Sequence, residues 1–145
     1  MADQLQRVLI VNGPHLDLLG TREPELYGQR SFEEFLEELR QAFPALEIRY
    51  FQSNVEGELV QALRDGARMN DAIVMNPAGY SHTSVALRDA IPLVGVPVVE
   101  VHISNIHARE DFRHNTLTGA VTTGVITGFG LEGYRLAIQY LLQRS

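Results

Sequence analysis

Short apolar runs alternate with segments of helical periodicity along the chain. Five runs rich in β-branched and other apolar residues predict strands, at Arg7–Asn12, Glu47–Gln52, 71–76, 96–102 and 120–127. Most of these runs lack a regular polar alternation, which is typical of strands that are covered on both faces. The pattern therefore favours a parallel sheet over a half-exposed antiparallel one.

Helical patterns separate the predicted strands. Ser31 precedes apolar positions spaced i, i+3, i+4 and i+7, and Glu34 follows it by three residues, which is a capping-box arrangement. Pro44 is expected to end that helix. Three further helices are predicted over Glu56–Met69, 84–90 and 130–144.

Strands that alternate with helices indicate an α/β fold with helices on both faces of a parallel sheet. Repeats, linkers and low-complexity segments are absent from the sequence, so one domain over residues 1–145 is expected. Sheets of this kind bind ligands beyond the carboxyl ends of their strands. Functional residues are therefore expected among those that follow each strand.

The composition excludes several kinds of catalytic chemistry. The 145 residues include no cysteine, no tryptophan and no lysine, so all 12 basic residues are arginine. Schiff-base, pyridoxal-phosphate, P-loop-lysine and thiol chemistry are therefore excluded for these side chains. The formal charge of −6 argues against nucleic-acid or anionic-membrane partners. The first residues do not resemble a signal peptide and no run is long enough to span a bilayer, so a cytoplasmic protein is expected.

Three predicted strand ends carry polar residues that would meet at one edge of the sheet. They are NGPH at 12–15, NPAGYSH at 76–82 and EVHISN at 100–105. Glu100 and His102 are two residues apart on a strand and share a face. A carboxylate beside an imidazole stabilises its protonated form, which suits proton donation to a leaving group. A structural histidine held by a carboxylate fits the same spacing equally well.

The segment 13–30 is longer than an ordinary strand-to-helix connection. It fits a lid over the ligand edge, or a surface loop anchored by its leucines. Arg22 and Tyr27 lie within it, and a guanidinium close to a phenol would stabilise the phenolate as a base. The spacing of these two residues is by itself weak evidence for such a pair.

A glycine motif near the end of the chain is a poor candidate for a nucleotide site. Residues 128–133 (GFGLEG) match G-x-G-x-x-G between a strand and a helix. No further strand follows to supply a ribose-binding carboxylate, so these glycines are interpreted as turn residues. No clear metal-ligand spacing is present in the sequence.

Four segments together resemble one enzyme family. They are 12–28 (NGPHLDLLGTREPELYG), 76–84 (NPAGYSHTS), 86–90 (ALRDA) and 100–110 (EVHISNIHARE). In this order they closely resemble type II 3-dehydroquinate dehydratase, a lyase of the shikimate pathway and of quinate breakdown. The resemblance implies a flavodoxin-like fold of three layers with strand order 2-1-3-4-5. It also implies a cofactor-free and metal-free anti elimination of water from 3-dehydroquinate to 3-dehydroshikimate through an enolate.

The resemblance also implies roles for particular residues. Tyr27 would accept the proton, Arg22 would hold it as phenolate, His102 would donate a proton to the departing hydroxyl, and Glu100 would orient His102. Substrate would be bound by Asn76, His82, Ile103 through its backbone, Ser104 and Arg113. Asp89 would reach the site across a subunit contact, since the family assembles as a homododecamer built from trimers.

The chain departs from the family's pattern at His15, where asparagine is usual. A neutral imidazole both donates and accepts a hydrogen bond, so it can replace an amide that orders a water. The alternative to an active dehydratase is a catalytically impaired flavodoxin-like member that acts as a binding or assembly module. A flavin or nucleotide binder is a further alternative, which bound cofactor on purification would reveal.

Overall fold

All five apolar runs form one parallel sheet in the computed structural model of the protein, which describes residues 4–21 and 30–144. Strand β1 pairs with β2 on one side and β3 on the other, β3 pairs with β4, and β4 pairs with β5. The predicted order 2-1-3-4-5 is confirmed. The strands are β1 Arg7–Asn12, β2 Glu47–Gln52, β3 Ala72–Asn76, β4 Val98–His102 and β5 Gly124–Thr127.

In residues 4–21 and 30–144, four α-helices connect or follow these strands. They are α1 Phe32–Ala42, α2 Glu56–Met69, α3 Val85–Ala90 and α4 Glu132–Gln143. Helix α1 begins as predicted, because the Ser31 hydroxyl accepts the Glu34 N–H at 3.1 Å. Ser84 caps α3 in the same way, accepting the Leu87 N–H at 2.9 Å.

Strands β1 and β2 and helix α2 begin and end where the sequence predicts. Strands β4 and β5 begin later than predicted. Pro97 precedes β4 and has no N–H to donate to a neighbouring strand. Before β5, Gly119–Val121 forms a 3-10 turn, and the Thr122 hydroxyl donates to the Gly119 carbonyl at 3.1 Å. These local side-chain and turn bonds replace strand pairing over that stretch.

Each face of the sheet has its own apolar core. Side chains alternate along β1, so that Val8 and Ile10 lie in one core and Leu9 and Val11 in the other. The first core contains buried residues of α1 and α4, and the second contains buried residues of α2 and α3. The result is the three-layer arrangement that the strand pattern predicts.

The fold brings the carboxyl ends of β1, β3 and β4 side by side. Asn12 at the end of β1 is in register with Asn76 at the end of β3, and both are buried. The loops that leave these strands therefore start from adjacent points at one edge of the sheet. None of the helices in the described part of the chain is both long enough and apolar enough to cross a membrane.

Candidate active site

A cleft of about 570 Å³ lies beyond the carboxyl ends of β1, β3 and β4. The loops after all three strands contribute to its wall, as the polar strand ends predict. Six of the predicted site residues line it: Asn76, His82, His102, Ile103, Ser104 and Arg113. The structure thus brings together residues from three separate segments of the sequence.

Glu100 and His102 form a buried pair at the end of β4. The Nε2 atom of His102 lies 2.7 Å from Oε2 of Glu100. Glu100 is fully buried and His102 is 5% exposed. Glu100 also accepts hydrogen bonds from the hydroxyls of Thr116, at 2.7 Å, and of Thr118. With Nε2 engaged by the carboxylate, Nδ1 is the ring nitrogen of His102 that remains available to a ligand.

His82 is held beside His102 by the loop that follows β3. Its Nδ1 donates to the carbonyl of Asn115 at 2.8 Å, which leaves Nε2 as an acceptor in the neutral ring. The two imidazole rings lie 6.0 Å apart between centroids. Burial lowers the pKa of His82 below its ordinary value, although the bond to Asn115 opposes this change. His82 is therefore suited to contact a substrate hydroxyl as a neutral ring.

Asn76 is fixed by contacts beneath the cleft. Its Nδ2 donates to the hydroxyl of Tyr134 at 3.0 Å, and its Oδ1 accepts the Ala78 N–H at 3.0 Å. The Tyr134 hydroxyl in turn donates to Oδ1 of Asn12 at 2.8 Å. Sequence reasoning missed the roles of Asn12 and Tyr134. The available signal was an asparagine at the end of each of two adjacent apolar strands.

Within the described part of the chain, Arg109 and Arg113 supply positive charge to the cleft. Arg113 lies along Glu110, with its Nε 3.2 Å from each carboxylate oxygen, and its guanidinium stands 4.8 Å from the centre of the Phe112 ring. Arg109 donates to the hydroxyl of Ser104 at 3.4 Å. Arg109 also lines the cleft, as its position after the fourth strand allows, although the family resemblance assigns it no role in substrate binding.

Some predicted site residues are not brought into the cleft by the described part of the chain. Asp89 lies exposed on α3 and does not line the cleft of this single chain. Arg22 and Tyr27, and most of the second half of the predicted lid, lie outside the described residues. His15 does line the cleft, in a left-handed conformation with φ 71°, and its N–H donates to Oδ1 of Asn54.

The glycine motif at 128–133 turns the chain from β5 into α4. Gly128 and Gly130 have φ values of 98° and 61°, which glycine adopts without strain. A side chain at Gly133 would approach Val101 to 2.9 Å, so this glycine permits close packing of α4 on the sheet. Among the described residues, no three His, Asp or Glu side chains cluster in a way that could hold a metal ion.

Comparison with known proteins gives consistent matches over nearly the whole chain. The family model "Dehydroquinase class II" matches residues 6–142. A 3-dehydroquinate dehydratase from Bacillus licheniformis is 46% identical over 143 residues, covering 97% of this chain and 99% of the relative. A 3-dehydroquinate dehydratase from Erwinia tasmaniensis is 48% identical over 146 residues, covering 99% of this chain and 97% of the relative. The crystal structure of type II dehydroquinase from Propionibacterium acnes matches with a TM-score of 0.92 at 36% identity, covering 99% of this chain and 100% of that chain.

Proposed function

The chain belongs to the dehydroquinase class II family, and we propose from the cleft how it dehydrates 3-dehydroquinate to 3-dehydroshikimate. The observation that carries this proposal is the buried pair of Glu100 and His102 at the cleft wall. The pair presents a proton donor whose second nitrogen is held by a carboxylate, in the place where a ligand would bind. The activity is that of a hydro-lyase.

The reaction needs a base, a group that stabilises an enolate, and an acid. The base removes a proton from the carbon alpha to the ketone, and the electrons of the broken C–H bond form the enolate. The enolate then re-forms the ketone, and the carbon–oxygen bond of the departing hydroxyl breaks. His102 donates its proton from Nδ1 to that oxygen, so that water leaves and a conjugated enone remains.

Tyr27 is the proposed base, Arg22 is proposed to hold it as phenolate, and residues 13–30 are proposed to act as a lid. Of the four tyrosines among the described residues, Tyr140 does not line the cleft, and the other three are unsuited to act as the base. Burial raises the pKa of Tyr50 to about 12 and raises that of Tyr134 well above its ordinary value. The Tyr80 hydroxyl donates to the Asn54 carbonyl at 2.9 Å, so its proton is already engaged. A tyrosine that must ionise needs a nearby positive charge, and Arg22 is close in sequence to Tyr27.

The substrate is an anion, whereas the chain carries a formal charge of −6. Local positive charge must therefore attract the substrate, and Arg113 is proposed to bind it. Ser104 and the backbone of Ile103 would hold its carboxylate at the end of β4. Asn76 and His82 would bind its hydroxyls, since both are fixed in orientation by contacts outside the cleft.

Assembly into trimers and a homododecamer is proposed for the protein in the cytoplasm. In such an assembly Asp89 would reach the cleft of a neighbouring subunit. The surface around Asp89 supports this, because Val85 lies one helical turn away with 59% of its surface exposed. Leu93, just after α3, is 79% exposed. Exposed apolar side chains beside a charged residue suit a surface that another subunit covers.

The proposed function is tested by incubating the protein with 3-dehydroquinate and following the ultraviolet absorbance of the enone product. We expect Tyr27→Phe and His102→Ala each to lower kcat by about 10²–10⁴-fold, the usual contribution of a general acid or base. The matched controls Tyr140→Phe and His107→Ala change exposed residues outside the cleft and should retain activity. Absence of turnover by the unaltered protein would instead favour the binding or assembly module.

A further inference from the structure

Thr116 and Thr118 place two hydroxyls against the buried carboxylate of Glu100. Thr118 Oγ1 donates to Oε1, and Thr116 Oγ1 donates to Oε2 at 2.7 Å. His102 Nε2 shares Oε2 at 2.7 Å. Glu100 is completely buried, so its carboxylate depends on hydrogen-bond donors within the protein. Both carboxylate oxygens are therefore oriented by protein donors.

The protons of the two hydroxyls can be assigned from the geometry. A threonine hydroxyl has one proton, and Thr116 lies nearer to Glu100 than to the Ser81 carbonyl, at 2.7 Å against 3.4 Å. The Gly119 N–H donates to Thr116 Oγ1 at 3.0 Å, which turns the hydroxyl proton away from that side. Both threonine protons then point at the carboxylate, and the 3.1 Å contact between the two hydroxyl oxygens needs no proton of its own.

The segment that carries the threonines is also attached to the loop that carries His82. The Leu117 N–H donates to the Ser81 carbonyl at 2.7 Å. The Asn115 carbonyl accepts from Nδ1 of His82 at 2.8 Å. Residues 115–119 thus hold Glu100 through side chains and His82 through the backbone. This gives the segment a fixed position relative to both histidines of the cleft.

We propose that Thr116 and Thr118 are positioning residues for the proton-donating step. They fix the plane of the Glu100 carboxylate, and Glu100 fixes the ring of His102, so that Nδ1 faces the departing hydroxyl. The inference rests on the proposed function, in which His102 donates that proton. Loss of one hydroxyl would leave a buried carboxylate oxygen short of a donor, and the carboxylate would rotate to find another. The orientation of the His102 ring toward the departing hydroxyl would be lost, while the substrate-binding groups would stay in place.

The test compares Thr118→Val with Thr118→Ser. Valine preserves the shape of threonine without its hydroxyl, whereas serine keeps the hydroxyl. We expect Thr118→Val to lower kcat about tenfold or more with KM changed less than about twofold, and Thr118→Ser to restore most of kcat. Thr122→Val is the matched control, since the Thr122 hydroxyl donates to the Gly119 and Gly124 carbonyls rather than to Glu100. This control should keep the unaltered kcat.

A double-mutant cycle with Glu100→Gln separates positioning from general loss of structure. If Thr118 acts through the carboxylate, Thr118→Val should have little further effect on kcat once Glu100 is glutamine. An equal fold loss in both backgrounds, or a rise in KM that serine does not reverse, would overturn the inference. Thermal unfolding checks that each variant is folded, and Thr116→Val with Thr116→Ser provides the same comparison if Thr118→Val does not fold.

His102→Ala distinguishes failure of this inference from failure of the proposed function. Turnover that survives His102→Ala would overturn His102 as the proton donor, and the threonine inference with it. If His102→Ala abolishes turnover while Thr118→Val and Thr116→Val both keep the unaltered kcat, only the threonine inference is overturned.

Discussion

His82 connects the chemistry of the cleft to the stability of the protein. The folded environment disfavours its protonated form, mainly through burial, and His102 and Arg113 act in the same direction. In the unfolded chain His82 binds a proton as the pH falls through its ordinary pKa of 6.5. In the folded protein the pKa of His82 is lower, so the same proton binds only at a lower pH. Over that window the free energy of unfolding should fall as pH falls.

Removal of His82 should weaken this pH dependence. We expect urea unfolding to show a smaller loss of stability between pH 7.5 and 5.5 in His82→Asn than in the unaltered protein. Comparison of the two slopes cancels the contributions of carboxylates and other histidines that both proteins share. Equal losses in the two proteins would show that His82 is not the group whose protonation opposes folding.

Tyr134 on α4 holds the ends of β1 and β3 at the cleft. Its hydroxyl joins Asn12 and Asn76, and all three residues are buried. Tyr134→Phe should lower the free energy of unfolding by about 1–3 kcal/mol, because two buried amides lose a partner. Tyr140→Phe alters an exposed tyrosine of the same helix and should leave stability unchanged. An unchanged urea midpoint for Tyr134→Phe would mean that the amides find other partners.

At the scale of elements, sequence pattern predicts the sheet better than it predicts the loops around it. Strands β1 and β2 have the predicted bounds, because apolar runs bounded by polar residues define them locally. β5 is shorter than predicted, because bonds from Thr122 and the turn Gly119–Val121 form before the strand begins. Turns of this kind depend on individual side-chain contacts that periodicity does not detect.

The ends of β1 and β3 approach so closely that one position excludes a side chain. The Gly13 N–H donates to the Asn76 carbonyl at 2.8 Å, and a Cβ at Gly13 would lie 2.6 Å from the Pro77 carbonyl oxygen. These neighbours are backbone atoms, so they move only if the loop after β3 moves with them. That loop begins directly after Asn76 and carries His82 into the cleft.

Gly13→Ala should therefore disturb stability and activity together. We expect a loss of about 1–3 kcal/mol in the free energy of unfolding, which is usual for overpacking, together with a large fall in kcat/KM. Gly79→Ala is the control for stability, because a Cβ there meets nothing within 4 Å. If both variants unfold at the same urea concentration, the close approach at Gly13 does not constrain the loop.

Across the whole molecule, the candidate site was only partly predictable from the sequence. The pair of Glu100 and His102 could be predicted, since residues two positions apart on a strand share a face. The hydrogen-bond donors that complete the site could not be predicted. Thr118 contacts Glu100 across 18 positions of the sequence, and Tyr134 contacts Asn12 across 122 positions. Such contacts arise only when the sheet brings distant segments together.

The sequence contains no lysine, which bears on how the substrate ketone is activated. A dehydration adjacent to a ketone can also proceed through an imine formed with a lysine side chain, which activates the alpha proton. This chain has no lysine to form such an imine, so we expect its acid–base residues to act on the free ketone. Borohydride reduces imines to stable amines, and incubation with 3-dehydroquinate and borohydride should leave both activity and protein mass unchanged. A covalent adduct in the intact mass, accompanied by inactivation, would contradict direct enolate formation and point to the N-terminal amine as the nucleophile.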